Sequence, residues 1–202
     1  MAGGRQRAGG LPAGGPQEAR EGMTMFERFT RTARDTVVRA VEEAKRAEAA
    51  EVTAEHLALA LLATPCGALL AEHGVRREDI ASAYETARRR AGLSESDASA
   101  LRALAIEVDH VVGSVEGAHG TGAMVPRGRR RRFAPRGHVP VAADTKEVLR
   151  RCLREAVDMG DRQLDDRHLL LGLVTTCGVA ADLLDEHGID YASLRARRRK
   201  AS

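Results

Sequence analysis

RDTVVRAVEEAKRAEAAEVTAEHLALALL (Arg34–Leu62) lines up without a gap against KEVLRRCLREAVDMGDRQLDDRHLLLGLV (Lys146–Val174), at a constant offset of 112 residues. Val37 then pairs with Leu149, Val41 with Leu153, Ala44 with Ala156 and His56 with His168. Within the first copy, Phe29, Ala33, Val37, Ala40 and Ala44 recur at three- and four-residue steps with charged residues between them, the spacing of an amphipathic helix ending near Glu48. Thr53 offers a capping hydroxyl ahead of the apolar run Leu57–Ala63, and Pro65 with Gly67 interrupts that run. Past a small change in length, LLAEHGV (Leu69–Val75) is echoed by LLDEHGI (Leu183–Ile189), each with a glycine placed to close a helix. An internal repeat decides architecture before local propensity does. The expectation is all-α: two pseudo-symmetric four-helix units forming one bundle.

Composition agrees. Hydrophobic residues make up 43% of the 202, but aromatics only 2% and Trp none, so the core must be Ala, Leu and Val, which suits close-packed helices. The flanks read differently. Residues 1–22, rich in Gly, Ala, Pro and Arg, read as a disordered leader, and Met23 and Met25 stand just before the patterned region as alternative starts. The first repeat with a short helical extension, LRALAIEVDHVV (Leu101–Val112), occupies 23–112. A Gly-, Arg- and Pro-rich linker is expected over 113–141, and the second repeat with a basic tail over 142–202.

Charge is segregated. Six arginines lie within Arg127–Arg136 and five basic residues within Arg195–Lys200; without those eleven the formal charge of +3 falls to −8. The folded part is thus acidic with basic segments attached, which argues against a general nucleic-acid binder and leaves weak, nonspecific contact through Arg127–Arg136, where Phe133 alone could stack on a base. Cys66, Cys152 and Cys177 are odd in number and show no CxxC spacing, so neither a disulfide framework nor a zinc knuckle is indicated, and a reducing cytoplasm fits. No apolar run has the length of a signal peptide or a membrane span. His56 and His168, beside apolar runs, read as structural hydrogen-bonders rather than metal ligands, and Cys66 and Cys177 as small core or loop residues. With no GxSxG and no GxxxxGK[ST], neither a nucleophile elbow nor a phosphate-cradling loop is present; no catalytic residue, metal or cofactor is assigned.

MFERFTRTARDTVVRAVEEAKR (Met25–Arg46), TAEHLALALL (Thr53–Leu62) and DRHLLLGLV (Asp166–Val174) resemble the Clp N-terminal (Clp R) repeat, which heads ClpA- and ClpC-type unfoldases. RRFAPR (Arg131–Arg136) is similar to the Phe-Thr-Pro-Arg segment that opens the second repeat of actinobacterial members. The resemblance implies a protein-binding bundle whose partners are a Clp unfoldase, its adaptors or its substrates, here without an ATPase ring. It further implies, as in some members, a phosphoarginine site in which a Glu of the Thr-Glu-His motif pairs the guanidinium and a Thr near the repeat's start helps hold the phosphate. The matching residues of repeat one are Glu55 and Thr30, with Phe26 and Phe29 as apolar contacts that could equally be core. In repeat two the Glu position holds Arg167, which repels a guanidinium, and the Thr position holds Ala, either Ala134 or Ala142. A basic-armed nucleic-acid-associated regulator and a ligandless relic are the competing readings.

Overall fold

The protein's computed structural model describes residues 27–125 and 139–199. The leader, Phe26 and the Arg127–Arg136 stretch lie outside the described residues. In the first half, α1 (Arg31–Arg46), α2 (Ala54–Leu61), α3 (Pro65–Glu72) and α4 (Arg77–Arg89) form the first unit, and α5 (Glu95–Ala103) and α6 (Val108–His119) extend it. The second unit is α7 (Ala143–Asp158), α8 (Asp166–Thr175), α9 (Val179–Glu186) and α10 (Tyr191–Arg199). The all-α expectation holds, and the two units match in detail. α1 and α7 have 16 residues each, and the second and third helices meet at 90° in one unit and 99° in the other.

The local reasons recur with the sequence. Thr30 caps α1, its side-chain oxygen accepting the Ala33 N–H at 3.2 Å, a contact worth about 1 kcal/mol. Ala142 occupies the same place before α7, with φ −66° and ψ 162° against −62° and 165° for Thr30, so the structural counterpart of Thr30 is Ala142. α1 ends by turning through Glu48 at φ 51°, and α7 through Gly160 at φ 73°. In both, the N–H one residue further on reaches back, Ala49 to the Ala44 carbonyl and Asp161 to that of Ala156.

Small residues on α1 (Ala33, Thr36, Ala40, Ala44) are buried where it meets α2, and Val148, Cys152 and Ala156 of α7 are buried where it meets α8. Between the units, α2 and α8 face each other, each also touches the other's first helix, and α9 lies on α4. Phe29, Leu57, Leu61, Leu164, Leu169, Leu170, Leu173 and Ile189 fill the shared core.

Two isolated parallel bridges tie the units together reciprocally: Phe29 with Leu164, and Val52 with Val141. Thr30 donates to the Leu164 carbonyl at 2.7 Å and Leu164 to that of Arg28 at 2.8 Å; Ala142 donates to the Val52 carbonyl at 2.9 Å and Val52 to that of Pro140 at 2.8 Å. The segment entering each unit's first helix is therefore held by the segment entering the other unit's second helix.

The stretch expected to be linker begins as helix. α6 runs through Gly113 to His119, because Val112 joins a satellite core with Ala98 and Val108, and Glu116 pairs with Arg89 at 2.8 Å. These tertiary contacts outweigh the cost of Gly113 and Gly117 in a helix, about 1 kcal/mol each.

Candidate functional site

The exchange between units separates the residues that the sequence groups. Thr30 belongs, through its bond to Leu164, beside the turn leading to Asp165, Asp166 and Arg167 of repeat two. Glu55 stands on the second residue of α2, near the opposite end of α1; from Thr30 to Glu43, which shares Glu55's groove, is about 20 Å of helix at the usual rise. The repeat-one pairing of Thr30 with Glu55 is thus corrected: Glu55 lies by the start of α7, whose Asp144 carboxylate accepts the Ala54 N–H at 3.1 Å. Each threonine-type position faces the other repeat's second helix, so the Ala142 position goes with Glu55, and Thr30 with Arg167. Phe29 is 1% exposed and bridged to Leu164; it is core and presents no surface to a ligand.

Glu55 lines a groove of about 830 Å³ whose charged walls are Glu43, Arg46, Glu51, Glu55, Arg77 and Arg88. Its carboxylate accepts one bond, from Arg88 Nη1 at 2.7 Å. Glu43 receives Arg46 at 2.8 Å and, more closely, Arg77 from α4. The Arg77 hydrogen bond holds the Glu43 carboxyl below its usual range against the opposing effect of desolvation. Both carboxylates are largely covered, Glu55 at 15% exposure, whereas Arg88 is 47% exposed. The groove therefore holds alternating ion pairs with their guanidinium edges turned toward solvent.

His56 forms the groove's inner edge. Its Nδ1 accepts the Thr53 N–H at 3.0 Å and lies 2.8 Å from Thr53 Oγ1, closing a capping box on α2. Burial lowers its pKa, opposed by the carboxylates of Glu55, Glu43 and Asp144. His168 does the same for α8: Nδ1 accepts the Asp165 N–H at 3.1 Å, and Nε2 lies 3.0 Å from Asp161. The structural role expected of both histidines is the one observed. Among the described residues no group of three or more His, Cys, Asp or Glu side chains has a metal-binding arrangement. Cys66 and Cys152 are buried, and burial pushes both thiols far up; Cys177 is exposed.

Repeat two offers a different surface. Arg167 lies at the edge of an apolar cavity of about 250 Å³ between α3, α8 and α10, lined by Pro65, Leu69, Leu170, Leu171 and Leu194. The counterpart of Glu43 is Glu155, which accepts from Tyr191 Oη at 2.9 Å. Sequence reasoning missed Arg46, Arg77 and Arg88. Two of these stand on α4, outside the gapless repeat, and no motif marked them.

Residues 28–105 and 141–201 match the Clp repeat (R) N-terminal domain model. Among solved structures, a chain from structural investigations of a malarial protein secretion system superposes with a TM-score of 0.50 at 15% identity, covering 86% of this chain and 94% of that one. The N-terminal domain of the chaperone ClpD from Arabidopsis thaliana gives 0.48 at 19% identity, covering 88% and 97%. At 15% identity the first likeness is one of fold. No single helix among the described residues is long and apolar enough to cross a membrane.

Proposed function

Because the chain belongs to the Clp repeat N-terminal domain family, we propose that it is a non-catalytic protein-binding module of a Clp quality-control system, serving as adaptor, competitor or ligand sink for a Clp unfoldase in the cytoplasm. The observation that carries the reading is the Glu55 groove: a covered carboxylate at a helix start, ringed by arginines and open to solvent. Such a carboxylate receives an arginine side chain of a bound protein, and the neighbouring guanidinium groups suit a phosphate on it, so a phosphoarginine-tagged segment is the ligand. Arg88 thereby takes over the phosphate contact that the family pattern gives to a threonine and that Thr30 is too distant to make. Repeat two, with Arg167 in place of the carboxylate, takes no guanidinium.

Calorimetric titration of the full chain with phosphoarginine tests this. The expected result is saturable binding with about one site per chain, lost in Glu55→Ala. An absence of heat at millimolar ligand overturns the phosphoarginine reading, and failure to co-purify with a Clp unfoldase or its adaptors would remove the wider one.

A further inference from the structure

Glu55 already has a guanidinium, that of Arg88. The contact is single-ended: one N–H of a group that carries five donors, on a side chain that is half exposed, while Arg46 and Arg77 stay on Glu43 in the same groove. An incoming arginine that pairs with the carboxylate through both oxygens must displace Arg88 from Oε2. A bare guanidinium then exchanges one exposed ion pair for another. It leaves Arg88 unpaired and adds a positive charge to walls that already carry Arg46 and Arg77. A ligand with an anionic group beside its guanidinium behaves differently, because the released Arg88 turns onto that anion. Two ion pairs then stand where one stood.

We propose that Arg88 is an exchangeable latch on Glu55, which makes the groove select a guanidinium bearing or adjoining an anion over a bare one. This rests on the reading of the groove as an arginine-side-chain site and adds the residue that sets its selectivity.

The test uses the full chain, Arg88→Gln and Glu55→Gln, each titrated with one peptide carrying arginine and the same peptide carrying phosphoarginine, with circular dichroism to verify the fold. The wild type is expected to prefer the phosphorylated peptide by about tenfold. Arg88→Gln should bind the bare peptide about tenfold more tightly and lose most of that preference, while Glu55→Gln binds neither. If Arg88→Gln leaves both affinities unchanged while Glu55→Gln abolishes them, Arg88 is a bystander and the groove remains an arginine site. If Arg88→Gln strengthens both peptides equally, Arg88 only competes and does not select. Should neither peptide bind to any of the three proteins, the reading of the groove falls and the latch with it.

Discussion

Protonation of His56 would cost α2 its cap. The Nδ1 that accepts the Thr53 N–H is the nitrogen that an added proton would occupy, and burial disfavours the charged ring. The folded pKa is thus lowered, so below the ordinary value of about 6.5 the unfolded chain binds a proton that the folded chain refuses. The stability contributed by His56 is complete above that pH and is lost as pH falls through it. His56→Gln keeps a capping-box acceptor that does not titrate. Thermal melts from pH 7.5 to 5.5 should show the wild type losing stability more steeply than His56→Gln; parallel profiles would remove His56 from the account. At this scale much was legible in the sequence. His56 and His168 were recognisable as repeat-equivalent structural residues, and Glu55 as a marked position. The association of Thr30 with Glu55 was not, because closeness within a motif says nothing about which end of a helix faces which partner. Arg88 was hidden for the same reason, since only the packing of α4 brings it to Glu55.

The two first-with-second helix packings solve one steric problem in two ways. In repeat one Ala60 of α2 and Ala40 of α1 are buried where the helices meet; the corresponding residues of repeat two are Gly172 and Cys152. A Cβ at Gly172 would stand 2.4 Å from Cys152 Sγ and 2.8 Å from the Val148 carbonyl oxygen. Gly172→Ala is therefore expected to destabilise by about 1–3 kcal/mol, read from chemical denaturation. Adding Cys152→Ala removes the nearer obstacle but not the carbonyl, so it should restore part of the loss, and no restoration would mean that α7 and α8 separate as a whole. The helices themselves were readable, since periodicity and the Thr53 cap mark them and Pro65 and Gly67 break the run. The end of α6 was not, because Gly113 and Gly117 signal a linker, whereas the Arg89–Glu116 pair and the Val112 contacts that hold that stretch come from packing.

Across the whole molecule, the reciprocal bridges make each repeat part of the other's folding unit. The chain should unfold in one step, with calorimetric and van't Hoff enthalpies in agreement. Ala142→Pro tests the bridge directly. Its φ of −66° already suits proline, and it loses the N–H that reaches Val52, whose carbonyl still accepts from Thr145 Oγ1 at 2.9 Å. A loss of about 1 kcal/mol is expected, with both repeats still melting together; two separate transitions would show that the bridges do not couple them. Gapless alignment revealed the pseudo-symmetry but not this crossing of chain segments, because a repeat read from sequence does not say which copy holds which segment. The crossing also suggests how the molecule came about. A lone repeat has both an edge that offers a segment and an edge that receives one, the self-complementarity of an isologous dimer. Joining two such copies in one chain replaces an association that depends on concentration with an intramolecular one. Once tethered, the copies no longer had to remain identical, which is how a glutamate in one could become an arginine in the other without losing the pair.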